Sequence, residues 1–200
     1  KKEQFKKLKL DFLIIIKFNK KFSKLSYKEF IYKIIYKKIN SKFLFISKNF
    51  RFGKNREGNV NKLRQSESLL SYKTCISRPL RIKNKILSSS IIRSEIRNGR
   101  IKKTNKLLGR EWSVEGKVIR GEKRGRKIGF PTCNIKINDY VMPKLGVYSV
   151  KININKMHRK GIANIGYRPT FKGRTLLLEV NIFGLKANLY DKKLNVTFIK

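Results

Sequence analysis

Leu107-Leu108-Gly109-Arg110-Glu111-Trp112-Ser113-Val114-Glu115-Gly116-Lys117-Val118 is the stretch in which the chain changes its hydrophobic period. Upstream, apolar residues recur at helical spacing. Ile91, Ile92 and Ile96 follow Ser88-Ser89-Ser90, a cluster of N-cap residues, and a second helical stretch over 101–108 ends at Gly109. Downstream, apolar and polar residues alternate over 112–118, 146–154, 161–165, 176–182 and 194–198, as strands with one buried face require. Gly and Pro turns separate these strands, with no amphipathic helix of any length between them. Residues 110–200 therefore read as an all-β domain, most simply a small antiparallel barrel.

Working back from the junction, residues 1–109 read as α/β. The apolar run 11–18 suits a strand buried on both faces of a parallel sheet. Ser26 and Glu29 form a capping box. Phe30, Ile31, Ile34, Ile35 and Ile39 then recur at helical spacing. A second buried strand is expected at 43–46 and a third, short one at 72–76. Strand, helix, strand is a βαβ unit, and ligands of such sheets bind beyond the C-terminal strand ends. That points to the loop 47–58, with Asn49, Arg51, Gly53, Arg56 and Gly58.

Composition bounds the possible partners. Hydrophobic residues make up 40% of the 200, a globular balance, and the formal charge is +39. A polyanion-binding surface would give such a charge. So would codon drift in an AT-rich genome, which writes Lys, Asn and Ile and leaves only Ala163 and Ala187 as alanines. The lysines are scattered through every segment, which favours drift over a nucleic-acid-binding face. Cys75 and Cys133 lie in different halves without a CxxC pair, and His158, in a basic turn, is the single histidine. Disulfide frameworks, zinc sites and histidine triads are disfavoured, and reduced thiols in a cytoplasmic protein are the default. The apolar run 12–16 stops at Lys17, well short of the ~18 residues of a membrane span. The chain opens on Lys1 and closes inside an apolar strand pattern, so a fragment is expected.

The densest chemistry lies in 118–134. Gly121, Gly125 and Gly129 are spaced four apart and allow close backbone approach to a phosphate. Arg124, Arg126 and Lys127 add positive charge, and Pro131 fixes the chain before Thr132 and Asn134, two hard oxygen donors of the kind Mg²⁺ accepts. Read alone, this is either a phosphate cradle or a solvated hairpin; no G-x-x-x-x-G-K-[ST] loop occurs there. Glu179, one of only 12 acidic residues, lies in the strand 176–182 on a face with Leu177 and Asn181. Such a carboxylate either faces water or serves as a general base.

In their order and spacing these pieces resemble the riboflavin kinase family from Gly116 to the end of the chain. The resemblance runs through Gly121-x-x-x-Gly125-Arg126, Gly129-Phe130-Pro131-Thr132-x-Asn134, Pro143-x-x-Gly146-Val147-Tyr148, Asn164-Ile165-Gly166-x-Arg168-Pro169-Thr170-Phe171, Glu179-Val180 and Leu189-Tyr190. Cys133 stands where the family usually has alanine. Residues 1–109 resemble the FMN adenylyltransferase (FAD synthetase) domain that precedes the kinase in the bifunctional bacterial enzyme. Asn49-Phe50-Arg51-Phe52-Gly53 is similar to its nucleotide-site loop, and Ser88-Ser89-Ser90-Ile91-Ile92-Arg93 to its phosphate-binding segment.

The resemblance implies a partial nucleotidyltransferase-like (Rossmann-like) α/β domain followed by a six-stranded antiparallel barrel, cut short at its C-terminus. It implies phosphorylation of riboflavin to FMN by ATP with Mg²⁺. Glu179 is the implied catalytic base, and Gly121, Gly125, Arg126, Gly129, Pro131, Thr132 and Asn134 the ATP-binding residues. Thr132 and Asn134 are the implied metal ligands, and Asn49, Arg51, Gly53, Ser88, Ser89, Ser90 and Arg93 the remains of an adenylyltransferase site. The intact family also adenylylates FMN to FAD. Its opening Gly-x-Phe-Asp-Gly-x-His-x-Gly-His element is absent from this sequence, so FAD formation by this chain is not expected. A basic nucleic-acid-binding barrel with exposed Tyr140 and Tyr148, and a structural remnant with decayed sites, are the rival readings.

Overall fold

A computed structural model describes residues 5, 8–82, 84–121, 129–137, 140–154, 157–170, 173–185 and 187–200. The chain divides into two compact units, Lys1–Leu80 and Arg81–Lys200.

In the first unit, Asn19 caps α1 (Lys20–Ser23). Ser26 caps α2 (Tyr27–Glu29) with both halves of the expected capping box, the Glu29 carboxylate accepting from the Ser26 N–H at 3.1 Å. The helix continues as a π-wound segment, Phe30–Ile39. The wider turn keeps Ile31, Ile34 and Ile35 buried but carries Ile39 off that face, to 41% exposure. Strands β1 (Phe43–Ser47) and β2 (Lys73–Ser77) form a parallel pair with Phe43 opposite Lys73, as the α/β reading requires. Short helices α3 (Val60–Arg64) and α4 (Glu67–Leu70) connect them. Ile31, Ile35, Phe52, Leu63 and Tyr72 make the core, and the Tyr72 hydroxyl donates to the Leu63 carbonyl at 2.6 Å.

Two expectations for this unit fail. Residues 11–18 form no strand and are exposed, and β1 is not buried, with Phe43 and Phe45 at 62% and 75% exposure. An apolar run becomes a buried strand only where a neighbour offers its edge and both sheet faces are covered. Among the described residues β1 and β2 pair only with each other.

The second unit opens with a short hairpin, β3 (Arg81–Ile82) and β4 (Lys85–Ile86). Helix α5 (Ser89–Arg97) follows, capped by Ser88, and then α6 (Ile101–Leu108), ended by Gly109 at φ +64°. Secondary structure changes from helix to strand at the junction read from the sequence. The compact unit nevertheless begins earlier, because Ile96 and Ile101 pack into the barrel core. Asn105 ties α6 to the barrel at both ends of its amide, donating to the Phe198 carbonyl at 2.9 Å and accepting from the Trp112 N–H at 2.8 Å.

Six antiparallel strands close the barrel: β5 (Trp112–Ile119), β6 (Thr132–Ile135), β7 (Gly146–Ile154), β8 (Met157–Thr170), β9 (Gly173–Ile182) and β10 (Lys193–Phe198). Around the barrel they run β10-β5-β6-β9-β8-β7, and β7 pairs back onto β10. Alternation fills the interior with Val114, Val118, Ile135, Ile152, Ile165, Leu178, Val180, Leu194 and Phe198, each at most 2% exposed. β6 is the strand that alternation missed, because its four residues sit at the end of a glycine-rich loop. His158 lies within β8 instead of a turn, exposed, with Nδ1 2.6 Å from the Asn153 Oδ1. Among the described residues no helix is long and apolar enough to cross a membrane.

Candidate functional site

Where β6 meets β9, the register opposes Thr132 with Asn181 and Asn134 with Glu179. On the other edge of β9, Asn164 of β8 is also opposite Glu179. Opposed residues share a face, so Asn134, Glu179 and Asn164 form one row across three strands, on the face away from Ile135, Leu178 and Ile165. Cβ atoms of opposed residues are about 4.5–5.5 Å apart, which sets Thr132, Asn134, Asn181 and Glu179 in one oxygen-rich patch.

Asn134 distinguishes this patch from an ordinary wet sheet face. It is 5% exposed although it points out of the barrel, and its Oδ1 has no hydrogen-bond partner among the described residues. A buried amide oxygen left so is costly, and a hard cation or a ligand N–H would satisfy it. Among the described residues no cluster of three His, Cys, Asp or Glu exists. The Thr132 hydroxyl and the Asn134 amide oxygen are hard donors of the kind Mg²⁺ accepts, since it takes one or two protein oxygens and completes its shell with water and substrate phosphates. Glu115 in β5 is a second strand carboxylate, ion-paired to Lys193 at 2.6 Å.

Of the glycine loop, Gly121 is half-buried and Gly129 lies at φ +80°, a conformation glycine adopts without strain. Pro131 and Thr132 are exposed. Gly125 and Arg126, with Arg124, Lys127 and Phe171, lie outside the described residues. Cys133 faces inward opposite Val180, and burial pushes its thiol pKa up, so it is a packing residue. The aromatics offered for a nucleic-acid face are not free. Tyr148 is 7% exposed and its hydroxyl donates to the Lys144 carbonyl, while the half-buried Tyr140 hydroxyl accepts from the Glu115 N–H at 3.0 Å.

In the first unit, a cleft of about 360 Å³ opens just beyond the C-terminal end of β1. Lys48, Asn49, Phe50, Arg51, Arg56 and Asn59 line it, three of them cations, with no carboxylate among the lining residues. Gly53 holds the loop close to α2: at φ +74° its missing Cβ would lie 2.8 Å from the Tyr27 nitrogen. Ser88, Ser89, Ser90 and Arg93 belong to the second unit, at the exposed start of α5. There Arg93 reaches the Ser90 hydroxyl at 3.5 Å.

Sequence reading missed Asn164 and Asn181 as site residues. Period-2 alternation puts Asn181 on the Glu179 face, and Asn164, part of the motif over 164–171, joins that row through strand register.

Residues 108–200 match the riboflavin kinase family, and residues 1–91 the FAD synthetase family. Bifunctional riboflavin kinase/FMN adenylyltransferases align along nearly the whole chain. That of Buchnera aphidicola (subsp. Schizaphis graminum) is 41% identical over 197 residues, 96% of this chain and 63% of the relative. That of Bacillus subtilis is 34% identical over 201 residues, 98% and 63%. A crystal structure described as a macrolide-efflux protein from Streptococcus pneumoniae superposes with a TM-score of 0.85 at 30% identity, covering 98% of this chain and 64% of that one. The chain is similar along nearly its whole length to the bifunctional riboflavin kinase/FMN adenylyltransferases. It spans a little under two thirds of the length of these relatives.

Proposed function

We propose that residues 110–200 phosphorylate riboflavin to FMN at the expense of ATP, as the kinase part of a bifunctional enzyme whose FMN-adenylylating domain residues 1–109 represent in part, with no FAD formation expected from these residues alone. The opposition of Asn134 and Glu179 across β6 and β9 carries this reading. Glu179 accepts the proton of the ribityl 5′-hydroxyl as that oxygen attacks the γ-phosphorus; the bond to the β,γ-bridging oxygen breaks and ADP leaves. Gly121, Gly125, Arg126 and Gly129 cradle the phosphates through backbone N–H groups and charge, and Pro131 sets the entry to β6. Thr132 and Asn134 are the residues that would hold Mg²⁺. Bound there, Mg²⁺ supplies charge neutralisation on the transferring phosphoryl group. Among this chain's own residues, the buried Asn134 amide is held ready on a short strand, at no conformational cost when the nucleotide arrives.

The three cations of the first-unit cleft suit a phosphate-bearing ligand. Asn49, Arg51 and Gly53 are assigned to an adenylyltransferase-type site in the first unit, and Ser88, Ser89, Ser90 and Arg93 of the second unit keep, by resemblance alone, the assignment of a phosphate-binding segment. The substrates of this reading are riboflavin, FMN and ATP, and its setting is the cytoplasm. Titrating riboflavin with Mg²⁺-ADP present tests it: quenching of flavin fluorescence is expected, with FMN formed when ATP replaces ADP. Unchanged fluorescence together with no FMN would refute it.

A further inference from the structure

We infer that Asn181 is a positioning residue for the nucleotide–metal site, an inference that rests on the kinase reading of the barrel. The start of β6 is held less well than the rest of it. On the β5 side the ladder reaches only Asn134 and Ile135, opposite Ile119 and Val118, so Thr132 and Cys133 are registered against β9 alone. Thr132 is also the first strand residue after a turn containing Gly129 and after Pro131, which has no N–H to give to any ladder.

Asn181 is opposite Thr132 on β9, and its Nδ2–H donates to the Pro131 carbonyl at 2.9 Å. The bond extends the β6–β9 ladder by one rung made from a side chain. It fixes the peptide plane between Pro131 and Thr132, and with it the direction of the Thr132 side chain. The β9 backbone beneath is paired on both edges, and β8 approaches so closely that a Cβ on Gly161 would lie 2.3 Å from the Asn181 carbonyl oxygen. A strand paired on both edges thus supplies one side-chain donor, and that donor orients a hydroxyl two residues from the buried Asn134 amide. Asn181 touches neither phosphate nor metal in this scheme; it acts through Pro131 and Thr132.

Asn181→Leu, close to Asn in shape but without the donor, separates positioning from packing. Calorimetric binding of ADP is compared with and without Mg²⁺, on the full chain. The magnesium-dependent gain in affinity should fall about 10-fold, as when the outer partner of a metal ligand is removed, while ADP binding in EDTA stays at the parent level. Asn181→His restores the gain, since a histidine Nδ1–H lies at the same distance along the side chain as the asparagine Nδ2. If Asn181→Leu melts early, Asn181→Ser, too short to reach Pro131, is measured at a temperature where it is folded, with the same loss expected. Parent-level magnesium dependence in the folded variants overturns this inference and leaves the kinase reading intact. Absence of any magnesium-dependent ADP binding by the parent chain overturns both.

Discussion

Asn134 and Glu179 face each other directly across β6 and β9, so that a buried amide oxygen without a partner among the described residues stands beside a strand carboxylate. Neither residue type is unusual by itself. Their opposition on a closed barrel holds a metal-type donor and a base-type acceptor in one row, and no loop closure is needed to bring them together.

Glu179→Gln keeps the shape of the side chain and removes the proton acceptor. Riboflavin phosphorylation should fall by about 10²–10⁴-fold, with Mg²⁺-ADP binding unchanged. A coupled assay for FMN and the fluorescence titration measure the two effects separately, and phosphorylation at the parent rate would remove Glu179 from its role.

Asn134→Leu should divide stability from function. Losing a buried oxygen without a partner removes a desolvation cost, so the variant should be at least as stable as the parent, by about 1 kcal/mol. Magnesium-dependent nucleotide binding should be lost in the same protein. A urea titration beside calorimetry checks both; marked destabilisation would mean that Asn134 is satisfied in solution.

Gly161→Ala should destabilise the barrel by about 1–3 kcal/mol, since the new methyl meets the Asn181 carbonyl at 2.3 Å and the Ile152 side chain at 2.8 Å. The backbone oxygen belongs to a strand paired on both edges and cannot yield. The urea midpoint of the second unit reads the effect.

The Glu29 carboxyl is held down to about 2 from 4.5, first by the hydrogen bond from Lys33 and then by the Ser26 N–H and hydroxyl. A pKa lower in the folded than in the unfolded chain contributes stability above the unfolded value, and that contribution is lost as pH falls. The capping box should therefore weaken between about pH 4.5 and 2. Carboxyl carbon shifts followed by NMR locate the midpoint, and Glu29→Gln should abolish this pH dependence. A midpoint near 4.5 would show the box open in solution.

Five of the six barrel strands were legible because a strand with one buried face alternates, and Val118, Leu178 and Val180 on the inner face of the barrel keep that period. The Ser26 and Ser88 caps were legible because their partners are three residues away. Residues 11–18 and the exposed face of β1 misled, since an apolar run states a capacity for burial but not which neighbour supplies it. β6 escaped notice because it has four residues, too few to establish a period, and stands beside glycines that read as loop.

By itself the sequence determined the two-part architecture, the chemical types in 118–134 and the face of β9 that carries Glu179. All of these follow from local spacing, at period 2 or 3.6, and from residue chemistry. Only the tertiary structure decided that Asn134 opposes Glu179, that Asn164 completes the row, and that Asn181 reaches across to Pro131. Strand register is a relation between segments about 45 residues apart. It is set by barrel closure and core packing together, and no single segment encodes it.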